Sequence, residues 1–279
     1  MSTLRIAAHS ALRPVIFIRH RNALRRLVVP VVILGAWEFV CELGLVRPLI
    51  LPPPHAVWDA FMGMKGQLPD AMLTTLSITL TGFFIGTAIG LALGLVMAYS
   101  VIARDFFGTV FDFLRPVPIF ALIPLFLLWF GIGKPPQVAL VSMGCAVILG
   151  VSTSEAVRNI PSIYIRAGLT LGARRSGIYR TVIVPYIIPH LIGAIRVAAA
   201  SAWGLDVAAE FMGSQQGLGY LIIEQQIYLR TAGIFVLVLI YCILAIVFDV
   251  LIARIERHVT RWTERRSALG IVASITGSQ

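Results

Sequence analysis

Three charged residues lie in one otherwise apolar stretch, LIGAIRVAAASAWGLDVAAEF. No polar residues next to them in the sequence could pair with their charges. Arg196 precedes Asp206 by ten residues, and Glu210 follows Asp206 by four. A guanidinium group can bind an anion, and a carboxyl group can carry a proton or face a cation. On one helix Arg196 and Asp206 would be separated by about 15 Å, so they cannot pair with each other. Their partners must come from other parts of the fold.

The remaining reactive side chains do not form a catalytic or metal-binding pattern. The cysteines and histidines are scattered, without CxxC or Cys/His spacing, and no GxxxxGK[ST] phosphate-binding loop is present. We therefore expect no metal, no cofactor bound by this chain and no enzyme activity. The cysteines are Cys41, Cys145 and Cys242, and the histidines are His9, His20, His55, His190 and His258.

The composition places the chain in a lipid bilayer. Of its 279 residues 58% are hydrophobic and 13% are charged, and the mean hydropathy is +0.89. Apolar residues run continuously, as in transmembrane helices, and do not alternate as in barrel strands. The sequence therefore predicts an all-α integral membrane protein with six transmembrane helices, at about 27–45, 75–101, 106–132, 137–153, 187–209 and 232–252.

The positive charge is concentrated in alternate connections between these spans. The net charge of +10 would suggest nucleic acid for a soluble protein, but here most arginines lie in three segments. These segments are a basic N-terminal segment (1–26), the loop at 154–186 and a C-terminal tail (253–279), which flank or interrupt a transmembrane domain at 27–252. Basic segments stay in the cytoplasm. We therefore expect a multi-pass membrane protein with both termini in the cytoplasm, and no nucleic-acid partner.

Two spans carry residues that shape helix packing. The second span repeats glycine at every fourth position, which predicts a shallow stripe where another helix backbone approaches closely, either within the chain or in a second subunit. The third span contains Pro116, Pro118 and Pro124, which should bend or break its helix. The stripe consists of Gly82, Gly86, Gly90 and Gly94.

Charges at bilayer depth need a partner or water. We expect Arg196, within three turns of the inner end of its span, to extend its long side chain to the interface. Asp206 lies deeper, and either a water-filled path or a polar side chain of a neighbouring helix would accommodate it. Together with Glu210 and Pro118, these two residues are the candidates for a translocation path.

The stretch RAGLTLGARRSGIYRTVIVP, from Arg166 to Pro185, contains four arginines, three glycines and no acid. It predicts a short helix around Ile163 to Leu171 that ends at Gly172, because glycine readily adopts the left-handed conformation. Charge alone would make this stretch a cytoplasmic anchor and nothing more.

This stretch resembles the cytoplasmic signature E-A-A-x-x-x-G-x9-I-x-L-P of bacterial binding-protein-dependent ABC importer permeases. Ala167 matches the second position, Gly172 the glycine, and Pro185 the proline, whereas Arg166 replaces the acid and Gly168 the second alanine. Four further stretches resemble the sulfonate, taurine and nitrate branch of that family: LPPPHAVWDAF, LRPVPIFALIPLFLLWFGIG, AIRVAAASAWGLDVAAEF and GLGYLI.

The resemblance implies a protein of the bacterial inner membrane with a type I importer permease fold. Its cytoplasmic coupling helix would dock on separate ABC ATPase subunits, which bind ATP and Mg. It also implies a second copy of the chain, a solute-binding protein that delivers the substrate, and a small organic anion such as an alkyl sulfonate or taurine, with nitrate or a heteroaromatic solute as alternatives. The residues it implies for ATPase coupling are Ala167, Gly168, Gly172, Ala173, Arg174, Arg175 and Pro185.

Two other classes of function follow from different features. An ion-coupled secondary transporter would use Asp206, Glu210 or Glu38 to carry charge. Such proteins often contain an internal repeat, which we do not find. An intramembrane enzyme would need a nucleophile with a base or a metal cluster within the spans. The sequence shows neither.

Overall fold

The computed structural model describes residues 31–259, except for the side chain of Arg175. The expected basic segment 1–26, the first residues of the span at 27–45 and the end of the tail at 253–279 lie outside the described residues. All regular structure between residues 31 and 259 is helical.

The chain forms a series of long and short helices. Helix α1 covers 31–42 in the described part. A 3₁₀ turn at Ile119–Leu122 precedes α5, and a π turn at Tyr179–Ile183 precedes α9. The other helices are α2 (Pro54–Met64), α3 (Leu68–Tyr99), α4 (Val101–Leu114), α5 (Ile123–Phe130), α6 (Lys134–Arg158), α7 (Ser162–Thr170), α8 (Arg175–Ile178), α9 (Val184–Gly213), α10 (Leu218–Ile227) and α11 (Thr231–Val259).

Four helical segments between residues 31 and 259 are long and apolar enough to cross a bilayer. They are Leu68–Tyr99, Lys134–Arg158, Ser176–Gly213 and Thr231–Val259, and the bent pair Val101–Leu114 and Ile119–Phe130 provides a fifth crossing if it is counted as one span. The all-α membrane fold is therefore confirmed. The number of six spans stays a prediction, because the first expected span is described only in part.

The expected connections are more helical than the sequence indicated. Residues 102–105, between the second and third expected spans, lie inside α4. Ser100 alone separates α3 from α4, and its hydroxyl caps the new helix by accepting from the Ala103 amide. The loop at 154–186 contains the end of α6, all of α7 and the beginning of the Ser176–Gly213 segment. Apolarity alone did not locate these ends because the helices continue through charged residues beyond their apolar stretches.

The third expected span is broken where its prolines lie. The segments Val101–Leu114 and Ile119–Phe130 are bent by 91°. Pro116 and Pro118 fall in the break, and Pro124 occupies the first turn of α5, where its missing N–H costs no helical hydrogen bond. The predicted effect of these prolines is present in the structure.

The glycine stripe of α3 packs against α6 in the same chain. A Cβ added at Gly82 would lie 2.6 Å from Val141 Cβ, and one added at Gly90 would lie 2.7 Å from the Ala146 carbonyl oxygen. Gly86 and Gly94 approach α6 in the same way. The small residues let the two backbones touch, which corresponds to the intramolecular alternative for the stripe.

Helix α9 completes this core and begins with an irregular turn. Ala198 and Ala202 of α9 are fully buried beside Val141 and Cys145 of α6. In the π turn before α9 the Val184 amide donates to the Tyr179 carbonyl, one residue further back than in an α-helix. This turn comes directly before Pro185, which cannot donate a backbone hydrogen bond.

A second compact unit is formed by 31–65 together with 225–236. Within it, the Trp37 ring lies 5.8 Å from that of Phe235, and the Trp37 indole donates to the Pro52 carbonyl. Thr231 donates to the Leu49 carbonyl at 2.7 Å. These contacts hold α1, the 43–53 connection and the start of α11 together.

The α3–α6 contact predicts opposite effects for the same substitution at two glycines. Gly90→Ala should lower the free energy of unfolding by about 1–3 kcal/mol, because the backbone of α6 must move to admit a methyl group. Gly108→Ala in α4 is the matched control, since nothing lies within 4 Å of a Cβ at that position. It should leave stability unchanged or raise it. Thermal unfolding in detergent measures both, and equal midpoints for the two variants would contradict the packing.

Candidate functional site

The two buried acids of α9 each accept a hydrogen bond from a threonine of α3. Thr75 donates to Glu210 Oε1 at 2.7 Å, and Thr79 donates to Asp206 Oδ2 at 2.8 Å. Each pair is four residues apart on its helix, so the two hydroxyls and the two carboxyl groups face each other in register. The polar residues at the start of α3 therefore serve as partners for the acids of α9.

Glu210 also receives donors from two further helices. Its Oε2 accepts from the Gly219 amide at 2.5 Å and from the Tyr241 hydroxyl at 3.1 Å. The Leu218 amide donates to Thr75 Oγ1 at 2.9 Å. The first amides of α10 have no partner within their own helix, so Glu210 and Thr75 cap α10 from α9 and α3. Thr75, Gly219 and Tyr241 thus all donate to Glu210.

Two glycines make room for this carboxyl group. Gly217 has φ +114, a backbone conformation that favours glycine, and its added Cβ would lie 2.6 Å from Glu210 Cδ. A Cβ at Gly219 would lie 2.7 Å from Glu210 Cβ. The motif GLGYLI therefore has a local physical reason, since the chain turns into α10 directly against the Glu210 side chain.

Asp206 is fully enclosed, with no exposed surface in this chain. Thr79 is the polar side chain of a neighbouring helix that the sequence left open as one of two possibilities. Asp206 Oδ1 is buried and has no hydrogen-bond partner among the described residues. A path role for Asp206 and Glu210 stays a prediction, and the geometry shows both groups within the packing of one chain. Pro118, a third path candidate, is exposed in the break before α5.

Arg196 has acidic partners that its own helix does not supply. Its Nε and Nη2 donate to the Asp249 carboxylate of α11 at 3.0 and 2.9 Å, and its Nη1 donates to Glu256 at 3.3 Å. The Ser176–Gly213 segment extends well before the expected span, so Arg196 is about 30 Å from the beginning of this helical segment. The structure adds an ion pair between α9 and α11, and the expected reach of Arg196 to the interface stays a prediction.

The predicted short helix in the arginine-rich stretch is α7, and it ends as expected. Gly172 has φ +75. Its amide donates to the Leu169 carbonyl at 2.9 Å, and the Ala173 amide donates to the Gly168 carbonyl at 3.0 Å. These two bonds form a Schellman motif, whose left-handed residue is usually glycine.

Three large apolar side chains in and directly after α7 are exposed. Leu171 is 87% exposed, and Ile163 and Leu169 are also exposed, beside the exposed arginines Arg166 and Arg174. Ala167 is exposed, whereas Gly168 faces its own chain, because its added Cβ would lie 3.1 Å from Ile178 Cγ1. A glycine in place of the signature's second alanine therefore has an intramolecular reason.

Several site residues were not identified from the sequence. Thr75 and Thr79 were treated as ordinary members of a span, and Asp249 was overlooked although it is an acid within the apolar helix α11. The available signal for the threonines was their spacing: Thr75 and Thr79 are four residues apart, as are Asp206 and Glu210. An unpaired arginine in one span and an unpaired acid in another was the signal for Arg196 and Asp249.

Comparison with known proteins gives consistent relatives across most of the chain. A family described as binding-protein-dependent transport system inner membrane component matches residues 86–261. A probable ABC transporter permease protein of Brucella abortus (strain 2308) is 31% identical over 234 residues, which cover 83% of this chain and 92% of the relative. The taurine transport system permease protein TauC of Escherichia coli (strain K12) is 28% identical over 238 residues, with 83% and 86% covered. A putative aliphatic sulfonates transport permease protein, SsuC of the same strain, is 30% identical over 236 residues, with 84% and 90% covered.

Solved structures share the fold at lower identity. A chain of the MetNI methionine ABC transporter in an inward-facing conformation matches with a TM-score of 0.61 and 22% identity, over 71% of this chain and 98% of that chain. A chain of a bacterial ABC transporter involved in the import of alginate matches with a TM-score of 0.59 and 15% identity, over 89% and 99%. At these identities the likeness concerns the arrangement of helices.

The contacts of Glu210 predict how α10 is held. Glu210→Gln keeps the size of the side chain but replaces one acceptor oxygen with a donor, so Thr75 on one oxygen and Gly219 and Tyr241 on the other can no longer all donate to it. Because a hydrogen bond to a charged group contributes about 1.5–3 kcal/mol, amides at the start of α10 should exchange about tenfold to a hundredfold faster. Hydrogen–deuterium exchange of a peptide that covers Leu218–Ile227 measures this effect. Glu224→Gln, an acid on α10 itself, is the control, and identical exchange in the two variants would exclude the capping role.

Proposed function

Because this chain belongs to the family of binding-protein-dependent transport system inner membrane components, we propose that it forms half of the translocation path of an importer for a small organic anion of the sulfonate or taurine type. The chain is the non-catalytic permease subunit of an ATP-driven ABC importer, and ATP hydrolysis belongs to a separate subunit. The observation that carries the functional proposal is the exposed helix α7, which ends at a left-handed glycine within the matched region.

The substrate class rests on relatives in the sulfonate and taurine branch. TauC and SsuC match this chain over more than four fifths of its length, and their names specify taurine and aliphatic sulfonates. The quoted stretches that resemble this branch include the α10 motif GLGYLI and the α9 segment with Asp206 and Glu210. Delivery of this solute by a binding protein on the outer side is part of the proposal.

The surface proposed for the ATPase is the open side of α7. Ile163, Leu169 and Leu171 are exposed apolar side chains, and large exposed apolar side chains outside a lipid environment commonly mark a protein interface. Arg166 and Arg174 lie beside it and favour a cytoplasmic position. In the proposed assembly ATP and Mg are bound by the partner ATPase, and both chain termini face the cytoplasm.

The fold provides a continuous element between this surface and the buried acids. From Ser176 to Gly213 the chain is one helical segment of 38 residues, about 57 Å long. Near its beginning, the Tyr179 hydroxyl donates to the Leu95 carbonyl of α3, and near its end Glu210 accepts from Thr75 of α3. A displacement of α7 by the ATPase would therefore be transmitted through α9 toward the outer side, as alternating access requires.

The pore is proposed to form between two copies of this chain. One copy leaves charged groups such as Arg196 and Asp249 partly exposed on helices long enough to cross the bilayer. Contact with hydrocarbon would be costly for these groups, so water or a second copy must cover this face. Homodimers are the simplest closed assembly that provides such a covering surface.

The end of α7 predicts the effect of single substitutions on coupling. Gly172→Val should abolish substrate-stimulated ATP hydrolysis, because a β-branched residue is strained at φ +75, while the protein should still insert in the membrane. Gly172→Asn should keep most of the coupling, since asparagine adopts the left-handed conformation more readily. Arg174→Ala should have a smaller effect than Gly172→Val, because a single exposed charge is weakly stabilising and is screened by salt.

Purification in mild detergent followed by an ATPase assay tests the function and the role of α7 together. The wild-type chain should co-purify with an ABC ATPase subunit. Absence of such a subunit from the wild-type preparation would contradict the proposed function. A Gly172→Val complex with full coupled hydrolysis would instead contradict only the role assigned to α7.

A further inference from the structure

Gln137 carries a buried amide without a hydrogen-bond partner. It lies near the beginning of α6 and is 1% exposed, and neither its Oε1 nor its Nε2 atom has a partner among the described residues. A primary amide loses its hydrogen bonds to water on burial, so an amide that gains none in return destabilises the packing around it. Such a group is explained if the same helices have a second packing in which the amide finds partners.

A bound water molecule would not supply these partners. The cavity beside Gln137 has a volume of about 10 Å³, whereas one water needs about 10–15 Å³ and at least two polar neighbours. A water there would meet no polar side chain other than Gln137 itself. The other lining residues are Ile123, Phe126 and Leu127 of α5, Pro136 and Leu140 of α6, and Ala209 of α9.

Helix α5 covers Gln137 and is attached to the bundle by apolar contacts. Its buried side packs on α6 and α9. A Cβ added at Gly213 of α9 would lie 2.5 Å from Leu127 Cδ2, so the Leu127 side chain fills the space that this glycine leaves. The sequence of α5, IPLFLLWF, has only one polar side-chain atom, the indole nitrogen of the exposed Trp129. Movement of α5 away from α6 and α9 therefore breaks no side-chain hydrogen bond or ion pair within the described part of the chain.

Both ends of α5 are built as hinges. Before α5 the chain bends by 91°, and Pro116 and Pro118 lie in this break. After α5, Gly131 and Gly133 have φ +77 and +129, conformations that glycine adopts without strain. Hinges are a few residues at the ends of an element that absorb a change in backbone angles. Helix α5 can therefore swing as a unit while α6 keeps its position.

An exposed cation lies on the same side of α6 as Gln137. Lys134 precedes Gln137 by three residues, a spacing that brings two side chains together on a helix. Lys134 donates to Ser77 Oγ at 3.3 Å and forms no ion pair with any acid between residues 31 and 259. An ammonium group beside an amide N–H suits the oxygen atoms of an anion such as a sulfonate.

We infer that α5 is the outer gate of the permease, and that its opening exposes Gln137, which together with Lys134 binds the anionic group of the entering solute. The inference rests on the proposed function, because α6 runs toward the proposed cytoplasmic surface on α7 and its beginning therefore faces the outer side. In the closed packing the amide lacks partners. Water or solute satisfies it when α5 moves, which offsets part of the cost of separating the apolar contacts of α5.

A labelling experiment on the complete permease–ATPase complex in nanodiscs tests the movement of α5. Cys41, Cys145 and Cys242 are replaced by alanine, and Ala209→Cys places a reporter beneath α5. The rate of modification by a water-soluble methanethiosulfonate reagent is measured without nucleotide and with ATP and vanadate. We expect the two rates to differ by about tenfold or more, because the two conditions favour different packings of the permease.

Two further reporters make the labelling result specific. Ala198→Cys lies on the same helix, fully buried against α6 and away from α5, and should stay unmodified in both conditions. If Ala209→Cys does not assemble, Leu127→Cys places the reporter on the α5 side of the same cavity. It should show the same dependence on nucleotide.

Substitution of Gln137 should change stability and transport in opposite directions. Gln137→Leu removes the unsatisfied amide from an apolar site, so the thermal midpoint should rise, while the KM for uptake of taurine or ethanesulfonate should increase about tenfold. Gln137→Asn keeps an amide and should restore part of the affinity. Thr153→Val is the matched control on α6, because the Thr153 hydroxyl donates to the Leu149 carbonyl at 2.6 Å. Its midpoint should not rise, and its KM should stay unchanged.

The outcomes separate this inference from the proposed function. Equal labelling rates in the two conditions, or an unlabelled reporter in both, would overturn the gate. A lower midpoint or an unchanged KM in Gln137→Leu would overturn the role of Gln137. The wild-type complex, supplied with its binding protein, would still show ATP-driven uptake in each of those cases. Absence of that uptake, with labelling that still depends on nucleotide, would instead contradict the proposed function.

Discussion

The carboxyl group of Glu210 is the point where the packing of the bundle is most constrained. It accepts hydrogen bonds from Thr75 on α3, Gly219 on α10 and Tyr241 on α11, while it belongs to α9 itself. A buried acceptor of this kind is costly unless its partners are in place. The four helices therefore cannot change their positions around Glu210 independently, and Gly217 and Gly219 are required because they leave space for it.

Close packing of α3 on α6 fixes the position of α3, which carries the Glu210 partner Thr75. The glycines of α3 bring the two backbones into contact, so small displacements cannot be absorbed by side chains between them. The π turn and the ring contact between Tyr99 and Tyr179 hold the beginning of α9 against the other end of α3. An ATPase that moves α7 would consequently shift α9 as a unit, which is the mechanical property that an importer permease needs.

Features that depend on nearby residues could be predicted from the sequence, whereas partners across space could not. Continuous hydropathy indicated the long helices, the prolines after Leu114 indicated a break, and Gly172 indicated the end of α7. The partners of Glu210 were missed because Thr75 precedes it by 135 residues and no local pattern joins the two. Asp249 lies 53 residues after Arg196. The lengths of the helices were underestimated because polar residues continue α3, α9 and α11 beyond their apolar windows.

The source of energy for transport tests the central claim most directly. Proteoliposomes that contain this chain with its ATPase subunit are supplied with the binding protein and radiolabelled taurine, either with ATP or with an imposed proton or sodium gradient. We expect accumulation above the equilibrium level only when ATP, the ATPase subunit and the binding protein are all present. Accumulation by this chain alone, driven by an ion gradient without ATP, would contradict its assignment as the membrane subunit of an ABC importer.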